Sequence, residues 1–133
     1  SSTLSVFTVN PTTGGLTSVL SPIPTETSPF SVAVDPKGKR LFLTNRVVNT
    51  LSVFTINDSS GGLTLVGSPL STGNDPGSMA VDPSGKFVYT ANLLSNDISI
   101  FSINRNTGIL TSVGTRAAGT GPNSIAVTTG VLH

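Results

Sequence analysis

The sequence predicts an all-β chain made of repeated four-stranded sheets. Three observations predict it. A strand-like motif occurs three times: Leu4–Asn10 reads LSVFTVN, Leu51–Asn57 reads LSVFTIN and Ile98–Asn104 reads ISIFSIN, at a spacing of 47 residues. Turn formers are dense, with 14 Gly and 9 Pro among 133 residues, set between short apolar runs, the pattern of strands joined by tight turns. No stretch carries the long 3.6-residue apolar periodicity of an amphipathic helix.

Each copy of the motif is rich in Val, Ile, Phe, Ser and Thr, which is strand composition. Its alternation is not clean: Leu51 and Val53 point one way and Phe54 and Ile56 the other, so both faces are expected to be covered. A hairpin turn follows in each copy, at Asn10–Gly14, Asn57–Gly61 and Asn104–Gly108. Asn opens it with side-chain hydrogen bonds and Gly closes it at positive φ. A second strand is predicted over Leu16–Leu20, Leu63–Val66 and Leu110–Val113.

A longer polar connection then ends in Pro29-Phe30-Ser31, Pro76-Gly77-Ser78 and Pro122-Asn123-Ser124, the last one residue early. A short strand of small residues comes next, at Ser31–Val34, Ser78–Val81 and Ser124–Val127. In the first two copies it runs into Asp35-Pro36-Lys37-Gly38 and Asp82-Pro83-Ser84-Gly85, strong turn signatures. The fourth strand is Arg40–Asn45 and Lys86–Asn92, and polar links lead back to the opening motif. The chain is expected to be one domain of three repeats, 1–48, 49–95 and 96–133.

Four antiparallel strands per repeat of this length is the signature of a β-propeller blade. With strands labelled A to D outward from the axis, the Ser-x-Ala-Val strand is A, where wedge-shaped blades converge and space is least. The chain then reads C-D, A-B-C-D, A-B-C-D and A, with a partial B in Gly130–His133. That is about three blade equivalents, too few to close a ring, since single propellers use roughly four to eight blades. Two situations are expected: a piece of a longer propeller, or copies associating head to tail so that one chain's strand A completes the blade begun by the next chain's C-D hairpin.

The segments SVAVDPKGKRLFLTNRVVNTLSVFTIN and SMAVDPSGKFVYTANLLSNDISIFSIN resemble the YVTN-type propeller repeat, whose strand ending reads here Phe42-Leu43-Thr44-Asn45 and Tyr89-Thr90-Ala91-Asn92. The same repeat occurs in the bacterial 6-phosphogluconolactonase-like family. The resemblance covers nearly the whole chain and implies a closed seven-bladed propeller and, for activity, a lactonase.

Composition excludes several other functions. There is no Cys, so disulfides, thiolate metal sites and cysteine nucleophiles are out. The net charge is +1 and the basic residues are scattered; the one cluster, Lys37–Arg40, fits a solvated hairpin turn rather than a nucleic-acid surface. No apolar run reaches the length of a membrane helix. Low charge, 10% of residues, with abundant Ser and Thr leans toward a secreted, periplasmic or cell-surface location. Asn57-Asp58-Ser59 matches a glycosylation sequon at an expected turn.

Residues for catalysis are few. The one His is the terminal His133, and no Gly-x-Ser-x-Gly elbow exists. No catalytic residue, metal or cofactor is expected. Asp35 and Asp82 are explained by their turns. Glu26, Asp75 and Arg116 differ between copies in the loop entering strand A, which skirts the channel mouth, and they are the candidate ligand-binding residues. Asn45 and Asn92 recur and are expected to hydrogen-bond the backbone at the end of strand B. Two functions remain. The preferred one is a non-enzymatic propeller module for self-association or for a protein or carbohydrate ligand. The alternative, implied by the resemblance, is a lactonase-like hydrolase.

Overall fold

A computed structural model describes residues 2–129, and these form thirteen strands with no helix. In chain order they are β1 (Thr3–Leu4), β2 (Phe7–Val9), β3 (Leu16–Ser18), β4 (Ile23–Pro24), β5 (Pro29–Val34), β6 (Arg40–Asn45), β7 (Thr50–Ile56), β8 (Leu63–Leu65), β9 (Leu70–Ser71), β10 (Pro76–Val81), β11 (Phe87–Asn92), β12 (Asp97–Ile103) and β13 (Leu110–Ala117).

Two four-layered blades stand out. One runs β10-β11-β12-β13, antiparallel throughout. The other runs β5-β6-β7, with β8 and β9 together forming its outer strand. Ahead of them lies half a blade, in which β1 pairs β4 and β2 pairs β3. The inner strands β5 and β10 contact one another across the blade boundary. This is the C-D, A-B-C-D, A-B-C-D order read from the sequence.

The turns form for the reasons the sequence suggests. Asn57 Oδ1 accepts the amides of Ser59 and Ser60 at 2.9 Å each, and Gly61 closes the hairpin at φ 69°. Asn10 and Asn104 repeat the arrangement. Asp82 Oδ1 accepts the amides of Lys86 and Phe87 at 2.8 and 2.7 Å, and Asp35 does the same for Lys39 and Arg40.

The core lies between the two complete blades. Phe42, Leu51 and Val53 of one face Met79, Val88, Phe101, Ile103 and Leu110 of the other. The motif Leu51–Phe54 is buried on both faces, as expected. Its earlier copy is not: Phe7 is 48% exposed where its counterpart Phe54 is 4%. Likewise Val32 and Val34 present an exposed face of β5, whereas Met79, the counterpart of Val32 on β10, is buried against the preceding blade. The same strand is buried or bare according to whether a blade precedes it.

Four expectations need correction. The first strand breaks into β1 and β2 around Ser5-Val6. Outer strands continue beyond the polar connection as β4 and β9, and β13 runs on to Ala117 past a bulge at Gly114, φ 137°. Ser124–Val127 is not a strand. Ile125 N donates to Ser78 Oγ of the neighbouring blade at 3.3 Å; β5 and β10 each gain a ladder from their own strand B, which this segment lacks among the described residues. The partial strand expected at Gly130–His133, and His133 itself, lie outside the described residues.

Candidate functional site

Antiparallel order places the turns after β6 and β11 and the loops before β5 and β10 at one end of the blades. Here the chain is fastened the same way in successive repeats. The residue before each Pro adopts the left-handed conformation: Ser28 at φ 59°, Asp75 at 61° and Gly121 at 64°. That residue is gripped by an Asn of the preceding turn. Asp75 N donates to Asn49 Oδ1 and Gly121 N to Asn96 Oδ1, both at 2.8 Å. Its carbonyl accepts from the following turn, Arg46 N to Ser28 O at 2.8 Å and Leu93 N to Asp75 O at 2.9 Å.

On this repeated frame sits a cluster that does not repeat. Arg46 follows β6, and both its Nε and Nη2 donate to the carboxylate of Asp75, the latter at 2.8 Å. Its guanidinium carbon lies 4.6 Å from the centroid of the Phe30 ring, a cation–π distance. The next blade has Leu93 and Gly121 where this one has Arg46 and Asp75, and Gly77 where this one has Phe30. A bulge at the start of each inner strand turns Phe30 and Gly77 out of the ladder, the usual way a sheet re-aims a side chain beside a site.

The hydrogen bonds from Arg46 hold Asp75 below its ordinary carboxylate value, against a smaller opposing effect of burial. The same bonds raise Arg46 above its usual value. Each partner thus favours the charged form of the other. Arg46 lines two depressions, one of about 440 Å³ with Val47, Asn49, Asn74, Asp75 and Leu94, the other of about 320 Å³ with Phe30, Gly77, Leu93 and Asn123. A fixed guanidinium beside an aromatic face suits an anion or a developing oxyanion.

Of the three residues expected at the mouth, Glu26 and Asp75 lie in the loops at this end of the blades and Arg116 does not. Glu26 is half-buried and turns sideways: it accepts from Thr50 Oγ1 and from Asn45 Nδ2, the latter at 3.3 Å, beside an apolar cleft with Ile23, Phe54 and Pro69. Arg116 is exposed on β13 opposite Ile98 rather than in a loop, because that strand runs longer than expected. Arg46 and Phe30 were missed. The usable signal was the mismatch between copies, Arg46 against Leu93 and Phe30 against Gly77.

Asn45 and Asn92 also differ from expectation. Both are fully buried, and their amides bond side chains instead of backbone. Asn45 Nδ2 reaches Thr50 Oγ1 at 3.1 Å and Ser52 Oγ at 2.9 Å. Asn92 Nδ2 reaches Asp97 Oδ1 at 2.7 Å and Ser99 Oγ at 2.9 Å. The reason is register: these residues end strand B, where the facing strand supplies a Ser and an acidic or hydroxyl side chain. Among the described residues there is no group of three or more His, Cys, Asp or Glu able to hold a metal.

Blades of four antiparallel strands set side by side around their inner strands define a β-propeller. The family model of the lactonase seven-bladed β-propeller matches residues 1–127, and the chain belongs to that family. Among solved structures, it is similar to a Bacteroides fragilis protein provisionally assigned as a 6-phosphogluconolactonase, at 26% identity and TM-score 0.83 over 92% of this chain and 35% of that one. A Bacteroides uniformis protein with the same provisional assignment matches at 21% identity and TM-score 0.86, over 96% of this chain and 38% of that one. The periplasmic gluconolactonase of Pseudomonas aeruginosa matches at 24% identity and TM-score 0.77, over 90% and 35%. The chain thus spans little more than a third of these relatives. No curated protein matches it. No described helix is long and apolar enough to cross a membrane.

Proposed function

We propose that this chain forms part of the channel wall of a lactone-hydrolysing propeller, with Arg46 binding an anionic or oxyanionic group of a sugar lactone. The observation that carries it is the Arg46–Asp75–Phe30 cluster, which breaks the repeat at the mouth. The family to which the chain belongs supports the lactonase over the interaction module preferred on composition.

Lactone opening adds a water oxygen to the ring carbonyl, passes through an oxyanion and breaks the ring C–O bond as a proton reaches the leaving alkoxide. Arg46, held by two bonds and stacked on Phe30, needs no reorganisation to stabilise that negative charge. Asp75 serves as its anchor, since both carboxylate oxygens are engaged; the base that activates water is assigned to other blades. The exposed faces of Val32 and Val34 are the seat of a preceding blade, from the same polypeptide or from a second copy. A location outside the cytoplasm goes with this reading, in line with the periplasmic relative.

The test is hydrolysis of gluconolactone and its 6-phosphate by the full-length protein and its Arg46→Leu variant. Leu is chosen because Leu93 occupies the matching place in the next blade. Loss of an oxyanion donor lowers kcat by roughly 100-fold or more. Wild-type rates in Arg46→Leu would discard the assignment.

A further inference from the structure

We infer that Glu26 is a positioning residue, a clamp on the turn that carries Arg46, and that positions 26 and 50 form an exchangeable unit with positions 73 and 97. The two complete blades each have a fully buried Asn at the end of strand B, and each supplies its amide with one carboxylate. In the first blade that carboxylate is Glu26, which also accepts from Thr50 Oγ1. In the second it is Asp97, which accepts from Asn92 Nδ2 at 2.7 Å and from Ser95 Oγ at 2.8 Å. The carboxylate thus arrives from different repeat positions. The residue 47 places after Glu26 is Gly73, and the residue 47 places before Asp97 is Thr50.

Space explains why each blade has one and not two. A Cβ placed on Gly73 would stand 2.5 Å from Asp97 Oδ1 and 2.6 Å from Asn92 Nδ2. The room that Glu26 occupies in one blade is filled by Asp97 in the other. Chemistry explains why neither blade has none. A buried amide needs an acceptor, and a charged one forms the stronger tie. The partner Ser is constant, Ser52 and Ser99, each 2.9 Å from its Asn.

The clamp acts on function through the turn between Asn45 and Thr50. Glu26 bonds the residues at both ends of that turn, and the turn contains Arg46 and the Asn49 that grips Asp75. This consequence rests on the role proposed for Arg46; the clamp itself does not.

The test is amide hydrogen exchange of the full-length protein, read on segments 40–56 and 87–103, for Glu26→Gly, Thr50→Asp and the double variant. Removing hydrogen bonds to a charged group changes a local opening equilibrium by roughly 10-fold to 100-fold. Glu26→Gly is therefore expected to speed exchange at 46–50 by that factor and to leave 93–97 unchanged. Thr50→Asp alone sets a second carboxylate beside Glu26 and is expected to speed it as well. The double variant copies the neighbouring blade and is expected to return within about threefold of wild type, beyond the additivity error of independent sites.

A double variant that exchanges as fast as Glu26→Gly overturns the inference, as does a Glu26→Gly protein with a fully protected turn. If Glu26→Gly does not fold, recovery of a folded protein on adding Thr50→Asp reads the same coupling, and no recovery overturns it. Exchange needs no turnover, so loss of the lactonase reading leaves this result standing.

Discussion

Gly73→Ala is expected to destabilise the protein although Gly73 is not in the left-handed region. The obstacle is side-chain packing. The new methyl would sit 2.5 Å from Asp97 Oδ1, 2.6 Å from Asn92 Nδ2 and closer still to Ser95 Oγ. These atoms are tied to each other at 2.7 and 2.8 Å, and Ser95 Oγ also accepts from Asn74 N at 2.9 Å. None can retreat without loosening another bond. Hydrogen bonds to charged groups contribute about 1.5–3 kcal/mol each, and overpacking costs about 1–3 kcal/mol. The smaller unfolded-state entropy of Ala returns about 0.4–1 kcal/mol. With partial relaxation the net loss is about 2–4 kcal/mol. Urea unfolding followed by circular dichroism measures it, with Gly119→Ala as the companion. A Cβ at Gly119 meets no atom within 4 Å, so that variant is expected to gain about 0.4–1 kcal/mol. A Gly73→Ala protein within about 0.5 kcal/mol of wild type would refute the reasoning.

Three further outcomes are expected. Phe101→Ala empties a site 1% exposed in the core between blades and should cost about 3–5 kcal/mol in the same assay. At Asp82, burial works to raise the carboxyl, but bonds from the Ser84 hydroxyl and the amides of Phe87, Lys86 and Ser84 outweigh it and hold it below its ordinary value. Its contribution is thus full above the unfolded value near about 3.9 and is lost as pH falls through the folded value. Melting temperatures from neutral pH down to about pH 2 should fall less steeply for Asp82→Asn than for wild type; parallel curves would contradict the turn's role. Ile109→Ser, on a residue 55% exposed, should change stability by less than about 0.5 kcal/mol in the same urea assay.

What the sequence made legible is what recurs. The Asn-to-Gly hairpins and the Asp-Pro turns depend on local chemistry, and they stand where the repeats put them. Strands A, B and C follow the apolar runs. The outer strand was harder, because its continuation is two residues long at Ile23–Pro24 and Leu70–Ser71, too short for a pattern. It resumes after Gly67, φ 61°, turns the chain. Ser124–Val127 has strand composition without a described partner, and composition cannot supply the ladder. At the mouth, Asp75 was visible because it varies between copies. Arg46 varies too, yet in the sequence it is one of several scattered cations, since nothing local marks the loop that folds back onto it from position 75. The Glu26 and Asp97 relation was hidden because it joins different repeat positions.

The bulge that opens each inner strand has a consequence for how such a ring diversifies. It frees one residue per blade, Phe30 here and Gly77 in the next, from the ladder that builds the sheet. A change at that residue alters what this end of the blades presents while the strand pairing around it stays intact. Each blade carries its own interchangeable position on a common mount, so the surface at this end can be rewritten one blade at a time.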